Sequence, residues 1–258
     1  MREGAFGMFD ALGFKGVWER AEQAQPPWDV LGKLEGLMPH ADEVQGAADD
    51  AIRTLKERGQ LADATTCRIF LSDTIAFGCW AQPAPGQDPR QASMMALVVV
   101  CNFIGNLMAR AAQSPEPRFA YRGCVTYGRF DMRSSFIVGP AVDEAAIEAD
   151  RAEAAFVWLA PSALQVTSYE DPWLLRSWAV PLKGRRNESA TERRTLVVSP
   201  YVGVQPESYA GLHASIMSTF EGAKTDVTAK KNNTKAFLDA ELARLQADAG
   251  TSPEQAPV

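Results

Sequence analysis

Hydrophobic and polar positions along this chain follow two periods. Short apolar runs of strand character occupy 5–9, 67–72, 74–79, 118–128, 135–138, 155–159, 176–182 and 194–200. Between them, apolar residues three or four apart predict helices near 17–23, 41–58, 90–112, 140–155, 206–221 and 224–247. In 41–58, Val44, Ala48, Ile52 and Leu55 fall on one face; acids open the helix and Lys56 and Arg58 close it, as its dipole favours. Pro26-Pro27-Trp28 breaks the segment before it. Ser72-Asp73-Thr74 separates two β-rich runs, which reads as a hairpin, and Pro140 suits the first turn of a helix. The 90–112 stretch is strongly apolar, but its polar ends and Asn102, Gly105 and Asn106 favour a core helix over a membrane span. This order predicts an α+β fold: an antiparallel-rich sheet with helices on one face, in the ferredoxin-like, split-βαβ manner. A C-terminal hairpin and helices follow. Residues 1–200 are expected to form the main domain, 201–248 a helical extension of it, and 249–258 a disordered tail.

Composition narrows the chemistry. A net charge of −6 argues against nucleic-acid binding, although a polyphosphate needs only local basic residues. No apolar leader opens the sequence, and a cytoplasmic location is expected. Cys67, Cys79, Cys101 and Cys124 form no C-x-x-C pair, so a zinc knuckle is disfavoured. Cys67 and Cys79 lie symmetrically about Asp73 and are expected to face each other across the hairpin as reduced thiols. With His40 and His213 the only histidines, triads and histidine-metal sites are poorly supplied. Carboxylates, Lys, Arg and a metal are left to do the work.

Two carboxylates stand out. Asp10 closes the apolar run Ala5-Phe-Gly-Met-Phe9, and Asp73 closes Cys67-Arg-Ile-Phe-Leu-Ser72. Burying an unpaired charge beside a hydrophobic strand is costly. Hard divalent cations, which take carboxylate and phosphate oxygens, are one reason to do so, and two adjacent strand ends would make a two-metal phosphoryl-transfer site. A turn Asp after each strand is the ordinary alternative.

Five segments, in order over residues 5–185, resemble the class III nucleotidyl cyclases. Asp10-Ala-Leu-Gly-Phe-Lys15 is similar to the family's first metal motif, D-I-x-G-F-T, and Asp73 falls at the hairpin tip that carries its second metal Asp. Arg122-Gly-Cys-Val-Thr-Tyr-Gly128 keeps the Arg and last Gly of R-V-G-I-H-x-G. Gly139-Pro-Ala-Val-Asp-Glu-Ala145 is similar to G-x-x-V-N-x-A, and Val180-Pro-Leu-Lys-Gly-Arg185 to the late V-K-G-K hairpin. The resemblance implies a class III cyclase-like (palm) fold and two Mg2+ or Mn2+ ions held by Asp10, Asp73 and the backbone of Ala11. It also implies phosphate contacts from the amides of Ala11, Leu12, Gly13, Phe14 and Lys15 at a helix start, and from Arg122 and Lys183. A head-to-tail homodimer with shared active sites follows from it as well.

The departures are specific. The family's transition-state Asn and Arg align with Asp143 and Ile147, and its adenine-reading Lys and Asp align with Ile69 and Phe136. Without polar anchors at the latter two, adenine and guanine edges would go unpaired. That pattern is most like the pyrimidine cyclases of bacterial anti-phage (Pycsar) signalling, similar in their D-x-L-G-F and F-S-D-T segments. It implies cyclic UMP or cyclic CMP made for a downstream effector, with UTP favoured. Arg122, Asp143 and Lys183 are then catalytic or substrate-binding candidates. Tyr121, Tyr127 and Phe136 are candidates to stack on a base, though aromatics at strand spacing are more often core residues. A degenerate cyclase-like module that binds nucleotide without turnover, or a CTP-specific cyclase, are the alternatives.

Overall fold

The computed structural model describes residues 1–12, 21–24, 29–114, 119–167, 171, 173–183, 191–221 and 227–250. The elements are β1 (Arg2–Leu12), α1 (Val30–Glu57), β2 (Leu61–Leu71), β3 (Thr74–Pro83), α2 (Pro89–Gln113), β4 (Ala120–Arg133), β5 (Phe136–Val138), α3 (Pro140–Arg151), β6 (Val157–Leu159), α4 (Pro161–Leu164), β7 (Leu175–Leu182), β8 (Thr191–Val198), α5 (Tyr209–Ser218) and α6 (Thr228–Gly250). The strands form one sheet in the order β2-β3-β1-β4-β6-β8-β7, with β5 paired on β4. Every pairing is antiparallel except β4–β6. The fold is therefore α+β with an antiparallel-rich sheet, as expected.

Helices cover both faces of the sheet, not one. Alternate residues of β1 divide between two clusters, because strand side chains point to opposite faces in turn. Ala5 and Phe9 join the α1/α2 side with Leu37, Leu97, Val100 and Ile104. Phe6 joins the α3 side with Ala76, Trp80, Phe130, Ala141 and Ala145. Proline's fixed φ and missing N–H, together with Gly139, start α3 where a turn must cross the sheet. Gly139 has φ +137, and a Cβ there would lie 2.5 Å from the Arg129 carbonyl oxygen, so no larger residue fits.

Helix α1 starts at Val30, well before the expected 41, with Pro39 inside it; Asp29 caps it by accepting from the Gly32 N–H at 2.8 Å. Helix α2 is long and apolar enough to cross a membrane by composition, but the fold uses it as the core helix, with Leu97, Val100, Phe103, Ile104 and Leu107 fully buried. Phe103 stacks on Phe77 of β3 at 3.8 Å between centroids. Helices α5 and α6 contribute Leu212, Ile216, Phe237 and Leu238 to a cluster that includes Trp158 and Val197 of the sheet. The expected helix at 17–23 and the tail beyond 250 fall wholly or mostly outside the described residues.

The hairpin register corrects the cysteine expectation. Leu71 pairs with Thr74 across a two-residue turn, Ser72-Asp73, with Ser72 at φ +60. The symmetry axis lies between Ser72 and Asp73, so Cys67 pairs with Gly78 and Cys79 with Thr66. The two thiols point to opposite faces, as a one-residue offset dictates.

Candidate active site

Three neighbouring strands bring the predicted carboxylates together. Asp10, on the α3 side of β1, is paired in register with Thr74 of β3 on one flank and with Arg122 of β4 on the other. Asp73 is the second turn residue, next to Thr74. The two aspartates, Met8, Leu71, Thr74 and Arg122 line one open cleft with Ala146, Ala149 and Asp150 of α3, about 390 Å³ in volume. Close approach of β1 and β4 depends on Gly123, where a Cβ would lie 2.3 Å from the Met8 carbonyl oxygen.

The charges are unevenly balanced. Burial raises the Asp73 carboxyl above its ordinary value; its own backbone N–H lowers it, and the Asp10 charge adds to the rise. Arg122 answers only one of the pair, donating from Nε to Asp10 at 3.4 Å. Its other contact runs the opposite way, from Nη2 to Asp150 at 3.4 Å. Asp150 in turn accepts from Lys183 Nζ at 2.9 Å. Although burial pulls the Asp150 carboxyl up, Lys183 and then Arg122 outweigh it and hold it below its ordinary value. A chain of alternating charges thus runs Asp10–Arg122–Asp150–Lys183 away from Asp73. Sequence reading missed Asp150. Its signal was an acid in the last turn of a helix, where the dipole disfavours it unless a cation is near.

A divalent cation fits this donor set. Among the described residues no three acidic, histidine or cysteine side chains converge. Two carboxylates suffice for an ion that arrives with a triphosphate, because Mg2+ completes its shell from phosphate oxygens and water. The Asp10 charge adds to the rise at Asp73, and a cation between the two carboxylates would relieve it.

Other predicted residues fall elsewhere. Ala11 and Leu12 are still strand, and the Ala11 N–H already donates to the Asp73 carbonyl at 3.2 Å, so it is not a free phosphate donor at a helix start. Gly13, Phe14 and Lys15 lie outside the described residues. Ile69 is 5% exposed and packed in the α3-side cluster, so it lines no opening. Phe136 is 74% exposed on β5 opposite Arg133. Ile69 is in register, through Ala76 and Met8, with Cys124, whereas Phe136 lies at the far end of β4, roughly 30 Å further along the strand. One chain therefore does not bring these two positions together. Asp143 is exposed in the first turn of α3, about 10 Å along the helix from Asp150. It too stands apart from the Asp10–Asp73 cleft. Tyr121 is buried edge-on to Phe9, and the Tyr127 hydroxyl meets Ser93 Oγ at 2.6 Å. Both are packing residues in this chain.

No model of a known protein family matches the chain, and no curated protein matches it. Among solved structures it is similar to the catalytic core of a rhodopsin-guanylyl cyclase with converted specificity, in complex with ATPalphaS. Identity is 14% and the TM-score 0.49, over 77% of this chain and 95% of that one. It is similar to an adenylate/guanylate cyclase/hydrolase from Silicibacter pomeroyi at 16% identity and TM-score 0.42, over 78% and 99% of the two chains. A third likeness is to adenylate cyclases from Trypanosoma brucei in their monomeric state, at 14% identity and TM-score 0.40, over 77% and 90%.

Proposed function

We propose that this chain is a nucleotidyl cyclase that converts a pyrimidine nucleoside triphosphate to its 3′,5′-cyclic monophosphate and pyrophosphate. The observation that carries the reading is the convergence of Asp10, Asp73 and Arg122, from three adjacent strands, on one open cleft. These are the positions at which the sequence resembles the metal and phosphate motifs of class III cyclases.

In this reading Asp10 and Asp73 hold two Mg2+ or Mn2+ ions, with the carbonyl of Ala11 as a further ligand. When bound, the ions supply Lewis acidity that lowers the pKa of the ribose 3′-hydroxyl and neutralises the triphosphate. Arg122 presents its planar fork to phosphate oxygens, and Lys183 adds a point charge beside it. The 3′-oxygen bonds to the α-phosphorus, the bond to the β-phosphate oxygen breaks, and the hydroxyl proton leaves to water.

A second copy of the chain completes the site in this proposal. Phe136 and Val138 of β5 are large apolar residues left 74% and 56% exposed at the end of β4 away from the cleft, and Ile147, 55% exposed, lies on α3 one turn before Asp150. A head-to-tail homodimer would cover them and bring them to the partner's metals. Pyrimidine preference rests on the sequence resemblance alone, in which Ile69 and Phe136 stand where purine-reading cyclases carry polar anchors. UTP is placed slightly ahead of CTP, since its two carbonyl acceptors suit an Arg donor. Synthesis of a signal for a separate effector in anti-phage defence is the biological role proposed.

The test is turnover of single nucleotides with Mn2+, reading cyclic product and pyrophosphate together. Cyclic UMP or cyclic CMP from the wild-type chain, absent with Asp73→Asn, is the expected result. Tight nucleotide binding with no product from any of the four triphosphates would make the chain a binding module instead.

A further inference from the structure

We propose that Asp150 is a displaceable stand-in for phosphate: it occupies Arg122 and Lys183 when no nucleotide is bound and surrenders them to the incoming triphosphate. This rests on the cyclase reading above and deepens it by assigning a positioning residue to the polyphosphate subsite.

Four observations converge. Asp150 lines the cleft with Asp10 and Asp73, and among the lining residues it is the carboxylate on the far side of Arg122. It is the shared partner of two cations from different strands, Arg122 at 3.4 Å and Lys183 at 2.9 Å. Its side chain is 74% exposed, against 16% for Arg122 and 33% for Lys183, so it can swing into solvent without disturbing the packing that fixes the cations. The neighbouring charges are already satisfied: Arg151 and Arg193 both engage Glu148, at 3.0 and 3.1 Å.

The cations themselves are held in place independently of Asp150. Arg122 is anchored by its strand register opposite Asp10. The Lys183 N–H donates to the Arg151 carbonyl at 2.8 Å, and an isolated bridge joins Ala152 to Leu182. A triphosphate bound at Asp10 and Asp73 must pass within reach of Arg122, because the guanidinium already touches Asp10. Phosphate oxygens match that fork better than one exposed carboxylate does. Asp150 would therefore compete with substrate on entry. After cyclisation it would recapture both cations and help pyrophosphate leave.

The test measures binding of inorganic tripolyphosphate with Mn2+ by calorimetry, and steady-state turnover, for wild type, Asp150→Asn and Asp150→Glu. Asp150→Asn is expected to bind tripolyphosphate about three- to tenfold tighter, the range that losing exposed ion pairs allows. It should also lower KM for the nucleotide and the inhibition constant for pyrophosphate by a similar factor. A merely structural role would not tighten any of the three. Asp150→Glu, which keeps the charge, should return affinity toward wild type. Unchanged or weaker tripolyphosphate binding in Asp150→Asn, or no binding by the wild type, overturns the proposal. Tighter binding with no cyclic product from any nucleotide would keep Asp150's role at a triphosphate subsite while removing the cyclase reading. Cyclic product with unmoved affinity would do the reverse.

Discussion

The two ends of β4 are built differently. At the Arg122 end, strand register and two hydrogen bonds fix the guanidinium between Asp10 and Asp150, with Asp73 supplied by the β2–β3 turn and Lys183 by the residue after β7. Charged groups are held within the chain itself. At the Arg133 end, the strand turns into the three-residue β5 and the start of α3, and Phe136, Val138 and Asp143 face outward. One end is an assembled polar cleft, the other an uncovered surface with an apolar centre. Exposed apolar clusters of this kind commonly mark association surfaces. The contrast teaches that a single chain carries both halves of the proposed site without joining them.

The largest effect should come from breaking the assembled end. Asp10→Ala or Asp73→Ala is expected to lower cyclisation by about 10³-fold or more with the fold intact, read as cyclic product beside an unchanged circular dichroism spectrum. Chelation of divalent metal should give the same loss in the wild type, and added Mn2+ should reverse it. Full activity in either variant would remove the metal assignment.

Joining the halves is the next test. A chain carrying Asp10→Ala and Asp73→Ala, mixed with a chain carrying Asp143→Ala, should regain activity if each heterodimer holds one intact site. Two folded but inactive chains that never complement each other would place both halves in one subunit.

Arg122→Lys keeps the charge but loses the fork, and about a 10- to 100-fold fall in kcat/KM is expected from steady-state kinetics. Beside it, Gly123→Ala should cost about 1–3 kcal/mol in denaturant unfolding, because the added methyl meets backbone of β1. The smallest stability effect belongs to the open end: Phe136→Ser should shift monomer stability by less than about 0.5 kcal/mol, while weakening self-association in sedimentation.

Much of this contrast was legible in the sequence. The 3.6- and 2-residue periods located the strands and most helices, and the apolar runs ending at Asp10 and Asp73 identified the cleft. What was missed depends on long-range placement. The alternation of β1 between two clusters, which puts α3 opposite α1 and α2, cannot be read from local pattern when both faces are apolar. The two-residue turn moved the hairpin axis by half a residue and so separated Cys67 from Cys79. Asp150 looked like one more acid on a polar helix face, because its cations come from positions 28 and 33 residues away. Ile69 stands at an aligned position whose burial is set by packing against α3, which local pattern does not carry.

The most direct test of the account is a competition: purified chain, Mn2+ and equal UTP, CTP, ATP and GTP, with all four cyclic monophosphates quantified together. The account predicts that cyclic pyrimidine product dominates, cyclic UMP slightly ahead of cyclic CMP, and that it disappears with Asp73→Asn. Dominant cyclic AMP or cyclic GMP, or no cyclic product at all, would contradict it.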